Sequence, residues 1–288
     1  MENREKNKLE ASTLYLVGTP IGNLSDISER AIKVLCEVDF IAAEDTRNSM
    51  KLCSALGIKK ELVSYFEHNK RASGERIVAR LLAGESCALV TDAGMPAVSD
   101  PGEDIVKLCA DAGITVSVVP GPCAAISALA LSALPTARFT FEGFLPVQKG
   151  ERKKRLDALT SEERTMIFYE APHKLKTTLS DMREAFGGER LISLCREITK
   201  LNEEVIRTTL DKAVLTYEEK EPRGEFVLVV EGISPDTVLK NSDNPLCSLT
   251  PAEHVSHYVN EGLSKMDAIK AAAKDRGIPK SEMYRLVL

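Results

Sequence analysis

At 288 residues and a formal net charge of −5, the chain is too long for one ordinary core and too acidic overall for generic nucleic-acid binding. Hydrophobic residues at 43% and charged residues at 28% exclude a disordered chain and point to two globular domains with a small appendage. With no tryptophan and few aromatics, a base-stacking platform or a carbohydrate cleft is not expected, so any RNA contact must come from Lys and Arg gathered on one surface.

The first residues carry both charge signs and no apolar centre, the pattern of a disordered tail over residues 1–12 and not of a signal peptide. Residues 14–17 are an apolar run ending at Gly18, which predicts a buried strand entering a loop. A helix follows with Ile27, Ala31, Val34, Leu35 and Val38 on one face, and Asp26 and Glu29 give it a capping-box-like start. Residues 40–43 form a second strand that runs into Glu44-Asp45-Thr46-Arg47, and residues 86–91 form another, followed by a loop over 92–99. The next helix has Asp100 as its cap and Pro101 at its first position, a buried stripe of Ile105, Leu108, Cys109 and Ala112, and Gly113 at its end. A strand over 114–119 turns at Pro120-Gly121 into a small-residue helix over 122–134. Its apolar run, the longest in the chain, is broken by Ser127 and Ser132 and is too short to span a bilayer, so no membrane association is expected. Strands alternating with helices predict an α/β domain over 13–136 with a mostly parallel sheet.

Beyond Pro135 a second α/β domain is expected over 137–232. Strands at 139–144, 165–170, 191–198, 205–208 and 226–230 are interleaved with two helices, the first starting after Pro172 with Leu175, Leu179, Met182 and Phe186 on its inner face. The consecutive strands over 191–208 suggest a hairpin and hence a mixed sheet. Residues 233–249 read as a linker and 250–288 as two or three short helices, opened by the capping signature Thr250, Pro251, Glu253. The seven cysteines have no C-x-x-C spacing, and Cys36, Cys87, Cys109, Cys123 and Cys195 sit in apolar stretches. They read as reduced, buried thiols of a cytoplasmic protein, without disulfides or a zinc site.

Three small-residue loops follow strands of the first domain: Gly18-Thr19-Pro20-Ile21-Gly22-Asn23, then 91–102, then Pro120-Gly121-Pro122-Cys123-Ala124-Ala125. Doubly wound sheets bind ligands at that edge. The first loop is neither G-x-G-x-x-G nor a P-loop, and a tight turn explains it equally well by itself. In the second, Asp92 can accept hydrogen bonds from an amino or hydroxyl group while the backbone lies against a small cofactor, and Asp100 serves the following helix. No His accompanies Asp92 and Asp100, so no metal is expected. Together the loops favour a ligand crevice.

These loops, with Glu44-Asp45-Thr46-Arg47, Glu170-Ala171-Pro172-His173, Arg196-Glu197-Ile198-Thr199-Lys200 and Gly224-Glu225, resemble the tetrapyrrole methylase-like superfamily of class III methyltransferases over about residues 13–232. Within it the closer likeness is to the branch that methylates a cytidine 2′-oxygen in the decoding region of 16S rRNA. The resemblance implies S-adenosylmethionine as co-substrate, 16S rRNA or the 30S subunit as partner, and a homodimer. It assigns Pro20, Asp92, Ala93, Gly94, Ala97, Cys123 and Ala124 of the first domain to the cofactor, with Tyr169, Gly224 and Glu225 closing the cleft from the second.

A ribose hydroxyl is a weak acid, so a positioned base would help its methylation. The ionisable groups at strand ends are Glu44, Asp45, Glu170, Glu197 and Lys200, of which Asp45 and Lys200 are the best placed for the acceptor, with Arg47 clamping phosphate. An ion-pair network of Arg47 with Asp45 or Glu44 that holds the two domains together is the structural alternative. His173 suits a surface or capping role at least as well as a catalytic one. Lys149, Arg152, Lys153, Lys154 and Arg155 form a basic run that reads either as an RNA contact or as a solvated helix face. Lys265, Lys270, Lys274, Arg276, Lys280 and Arg285 make the tail either a grip on rRNA or a packing or dimerisation cap. Two rival functions stay open: methylation of a tetrapyrrole precursor on the same architecture, and a catalytically silent rRNA-binding assembly factor.

Overall fold

The computed structural model describes residues 8–233, 245–276, 278 and 280–287, which fall into two compact units. The first runs to Ser127 and also takes in Ile198–Leu201; the second comprises Ala128–Glu197 and the chain from Asn202 onward.

In the first unit, β1 (Thr13–Val17), β2 (Phe40–Ala43), β3 (Glu61–Ser64), β4 (Cys87–Val90) and β5 (Thr115–Val119) form an all-parallel sheet in the order β3-β2-β4-β1-β5. Side chains alternate along each strand and so feed two cores. Tyr15, Val17, Ile41, Ala43, Ala88 and Val90 pack with Ala31, Val34 and Leu35 of α1 (Glu29–Glu37) and Cys53 of α2 (Thr46–Ala55). Leu14, Phe40, Ala42, Cys87 and Leu89 pack with Ile77 and Leu81 of α3 (Lys70–Leu82) and Ile105 and Cys109 of α4 (Gly102–Asp111). Burial on both faces is why the inner strands read as unbroken apolar runs.

The expected parallel sheet is therefore present, and the differences are local. The pattern does not announce β3, α2 or α3, because β3 is a half-exposed edge strand and both helices bury few side chains. α1 is capped by Ser28, whose Oγ accepts the Ala31 N–H at 3.1 Å, while Asp26 ends a separate 3-10 turn. The N-cap of α4 is Pro101 and not the expected Asp100, which stands one residue earlier and accepts the Gly102 N–H at 2.7 Å through Oδ1. Of the expected disordered tail, residues 1–7 lie outside the described residues; Leu9 packs on the first core and the Glu10 N–H donates to the Tyr15 hydroxyl at 2.7 Å. Cys36, expected to be buried, is exposed on the outer face of α1.

The second unit holds a mixed sheet, β6-β7-β10-β8-β9, built from β6 (Phe139–Phe144), β7 (Thr165–Glu170), β8 (Leu191–Arg196), β9 (Glu204–Thr209) and β10 (Phe226–Val230). β6 runs parallel to β7; the other pairs are antiparallel, including the expected β8-β9 hairpin. One core gathers Leu156 of α6 (Lys149–Ala158), Leu175, Leu179 and Met182 of α7 (Pro172–Phe186), and Leu210, Ala213 and Tyr217 of α8 (Leu210–Glu219). Two helices were expected among these strands; α6 is the third, hidden in a charge run that buries only Arg152 and Leu156. The division into units falls inside α5 (Ala124–Leu131) and not at residue 136. The last turn of α5 is held by this second unit: Arg207 Nε and Nη2 donate to the Leu131 carbonyl at 3.0 and 2.5 Å.

The tail is three helices, α9 (Pro251–Asn260), α10 (Lys265–Asp275) and α11 (Lys280–Val287), around Val255, Ala268, Ile269, Ala272 and Met283. Residues 234–244 of the expected linker lie outside the described residues. The capping box at Thr250 and Glu253 forms as the sequence implies. His254 is wholly buried: Arg276 Nε donates to its Nδ1 at 3.0 Å, so its other nitrogen carries the proton and faces Asp275 Oδ2 at 3.1 Å. Tyr258 donates to the same carboxylate oxygen at 2.5 Å. Among the described residues, no helix is long and apolar enough to cross a membrane. Replacing His254 by alanine strands two charged partners and opens a cavity, and is expected to destabilise the tail by about 2–4 kcal/mol. Hydrogen exchange of the α9–α11 amides checks this; unchanged protection would show the network to be dispensable.

Candidate functional site

All strands of the first sheet point the same way, so the turns after β1, β2, β4 and β5 share one edge. The loop after β1 meets both of its neighbours there. Gly18 and Gly121 lie backbone against backbone: a Cβ on Gly18 would fall 2.6 Å from Gly121 Cα, and one on Gly121 would fall 2.8 Å from Gly18 Cα. On the other side Thr19 and Gly94 exchange two hydrogen bonds, at 2.9 and 3.1 Å, an antiparallel bridge outside the sheet. Gly94 sits at φ +87°, where a Cβ would touch Ile21 and the Pro122 carbonyl, both at 3.4 Å. The three loops are thus one structure. Pro20, Gly94, Ala97, Cys123 and Ala124 lie within it, and Asp92 and Ala93 are exposed at its rim.

The second loop keeps an unusual shape. Ala97 and Ser99 occupy the left-handed region at φ +65° and +66°, a conformation that costs a non-glycine residue ~1–3 kcal/mol. Asp100 Oδ1 holds it by accepting the N–H of Ala97 at 2.9 Å as well as that of Gly102. Such over-determined strain is typical of ligand loops.

The turn after β2 joins the same edge through Thr91, the first residue of the second loop, and through Asn48, which the sequence pattern does not single out. Thr91 Oγ1 donates to Glu44 Oε2 at 2.7 Å, and Asn48 Nδ2 donates to Asp92 Oδ2 at 3.3 Å. Asn48 is one helical step past Arg47, but that spacing is not a motif. Asp45, the expected base, is otherwise engaged. It caps α2 by accepting the Arg47 N–H at 2.8 Å, and it also takes the Arg47 guanidinium at 3.1 and 2.7 Å. The fork holds the Asp45 carboxyl down at about 2, too weakly basic to take a proton near neutrality. The Asp45–Arg47 pair of the structural alternative is present, but both residues belong to the first unit, so it is not an inter-domain tie.

The segment Ile198–Leu201 also belongs to the first unit, and it lays the stem of Lys200 across Gly22. In the second unit, Glu170 is buried, accepting from Thr178 Oγ1 at 2.5 Å and from the Ala171 N–H at 2.8 Å. It braces the start of α7 and has no free face for a substrate; His173 is exposed beside it. Tyr169 packs edge-on against Phe141 and Phe144. Gly224, at φ +79°, lies so close to Glu197 that a Cβ would come 2.5 Å from its Cγ, and the Glu225 N–H donates to Glu197 Oε1 at 2.9 Å.

The basic run on α6 divides. Arg152 is buried, with Nε on Asp181 at 2.6 Å and Nη1 on the Val147 carbonyl at 2.8 Å, so it packs α6 on α7 and is no RNA ligand. Lys153 pairs with Glu184 at 2.9 Å, Arg155 pairs with Glu142, and Lys154 is exposed. Among the described residues, no group of three or more His, Cys, Asp or Glu side chains is placed to hold a metal ion.

Residues 13–214 match the model of the Tetrapyrrole (Corrin/Porphyrin) Methylases. The chain is 47% identical over 281 residues to the Ribosomal RNA small subunit methyltransferase I of Halalkalibacterium halodurans, covering 96% of this chain and 95% of that one. The namesake from Bacillus subtilis (strain 168) is 49% identical, with 96% and 94% covered. The chain belongs to the tetrapyrrole methylase family, in its ribosomal RNA small subunit methyltransferase I group. A solved uroporphyrin-III-C-methyltransferase from Thermus thermophilus shares the tetrapyrrole methylase fold, with a TM-score of 0.55 at 22% identity over 76% of this chain and 94% of that one.

In this methylase the Asp45–Arg47 pair has a readable pH dependence. The folded value of Asp45 lies below its ordinary 3.8, so the pair favours the fold above 3.8, and that contribution is lost as pH falls through about 2. An NMR titration of the Asp45 carboxyl is expected to show a midpoint near 2 that rises toward 3.8 in Arg47→Ala. A midpoint already at the ordinary value in the intact chain would remove the pair.

Proposed function

We propose that this protein transfers a methyl group from S-adenosylmethionine to the ribose 2′-oxygen of a cytidine in the decoding region of 16S rRNA. The observation that carries the reading is the merger of the three small-residue loops at one sheet edge, through the Gly18–Gly121 contact and the Thr19–Gly94 bridge. The names of two of its relatives, each a Ribosomal RNA small subunit methyltransferase I at 47% and 49% identity, support the substrate class.

The loop residues fit the co-substrate. The Gly18–Gly121 crossing keeps side chains out of the loop junction, and exposed Asp92, which takes Asn48 on Oδ2, has acceptor capacity left for an amino or hydroxyl group. Pro20, Ala93, Gly94, Ala97, Cys123 and Ala124 are the proposed contacts of the first unit. Tyr169, Gly224 and Glu225 of the second unit are assigned on the family resemblance alone. When bound, S-adenosylmethionine supplies an electrophilic methyl group carried on a sulfonium.

What the chain must add is alignment and charge control at the 2′-oxygen. We assign the Lys200 ammonium to that oxygen, where it steadies the negative charge that builds as the proton leaves. Glu44, hydrogen-bonded by Thr91, replaces Asp45 as the carboxylate to receive that proton. Arg47, with its side chain 86% exposed, and Lys154 are the proposed phosphate contacts. Lys153 can join them, because an exposed ion pair such as Lys153–Glu184 is worth only about 0–1 kcal/mol and is readily exchanged for phosphate, whereas Arg155 is held by the buried Glu142 carboxylate. The resemblance supports a cytoplasmic homodimer acting on 16S rRNA or the 30S subunit.

Asp92→Ala is expected to weaken S-adenosylmethionine binding in calorimetry while the fold persists; wild-type affinity would remove Asp92 from the site. Lys200→Ala is expected to slow tritiated methyl transfer to undermethylated 30S subunits by ~10²-fold or more with little change in cofactor affinity, as for a group acting in the transition state. Equal losses in both would make Lys200 structural. No transfer to 30S subunits by the intact protein, with transfer to uroporphyrinogen instead, would overturn the RNA reading.

A further inference from the structure

We propose that Gly22 is a positioning residue for Lys200, a reading that rests on the role assigned to Lys200 above. Gly22 lies in the loop after β1, and Lys200 is carried into the same unit on the short segment Ile198–Leu201. The lysine stem crosses the face of the glycine. A Cβ on Gly22 would overlap Lys200 Cγ and would stand 3.0 Å from its Cε and 3.2 Å from its Cδ. Three successive methylenes therefore occupy the space that any other residue would fill with its own side chain.

The lysine end of this contact is also constrained. Thr199, immediately before Lys200, sits at φ +69°, and Glu197 sits at φ +51°, both in the left-handed region without being glycine. A turn held in that shape sets where the Lys200 Cα lies, and the Gly22 surface then sets the path of its stem. A long aliphatic side chain ordinarily samples many rotamers, and ordering one costs entropy. Seating the stem on a bare backbone restricts that freedom before substrate arrives, which is what a group acting on a single oxygen requires. Gly22 does this without touching any reacting atom.

Gly22→Ala displaces the stem by about 1 Å, and displacements of that size cost up to roughly 100-fold in rate. The expected result is a fall in kcat of roughly 10- to 100-fold, with S-adenosylmethionine affinity within about threefold of the intact enzyme. The decisive measurement is the double variant. Gly22→Ala placed in Lys200→Ala is expected to be no slower than Lys200→Ala alone, since no stem remains to be displaced. An undiminished effect of Gly22→Ala in that background, or a loss confined to cofactor affinity, overturns the positioning role. Full turnover by Lys200→Ala instead removes the role of Lys200 itself, so the two failures are told apart. Should Gly22→Ala not fold, the intact protein with ¹³C-labelled lysine decides: nuclear Overhauser contacts between the Lys200 methylenes and the Gly22 α-protons are expected, and their absence refutes the proposal.

Discussion

Two α-carbons without side chains meet just past the ends of β1 and β5, and the arrangement of the three small-residue loops follows from that meeting. Neighbouring strands keep their backbones about 4.8 Å apart while hydrogen bonds hold them. Beyond the ladder, Gly18 and Gly121 come closer than a Cβ on either would allow. That approach leaves Thr19 free to turn toward Gly94 and form the bridge that ties in the loop after β4. A larger residue at either glycine would wedge the first and third loops apart. The bare backbone that makes the crossing possible is also what a small, flexible ligand can lie against.

The carboxylates at the strand and loop ends of the two units do a different job from the one their positions in the sequence suggest. Asp45 accepts the N–H of Arg47, Asp100 those of Ala97 and Gly102, Glu170 that of Ala171, and Glu197 that of Glu225. In each case a turn or helix start exposes a backbone donor that must find a partner, and a nearby acid is the strongest acceptor available. Strand ends are where catalytic acids belong, but they are also where such donors collect. Glu44 differs, because it receives a side-chain hydroxyl and leaves its backbone neighbours to others.

Arginine behaves similarly. Arg30 donates to the Val118 carbonyl, Arg152 to those of Pro146 and Val147, Arg207 to that of Leu131, and Arg276 to that of Leu249. The planar fork of several donors suits it to caps and crossings that a lysine ammonium satisfies less well. Positive charge counted along the chain therefore overstates what is available to bind a phosphate.

Within the first unit, apolar runs bounded by glycine and proline were sufficient to place β1, β2, β4 and β5 and the three loops, since burial on both faces leaves little choice of residue. β3, α2 and α3 escaped because half-exposed elements tolerate polar residues at almost every position. That Gly18 touches Gly121, that Lys200 crosses Gly22, and that Asp45 is consumed by Arg47 were beyond any local pattern. The chain by itself determined which residues are small enough to form a close crossing and which are charged enough to serve as acids, bases or anchors. Only the tertiary structure decided which of them meet, because contacts between loops some hundred residues apart depend on strand order, and strand order is settled by how the whole sheet buries its two faces.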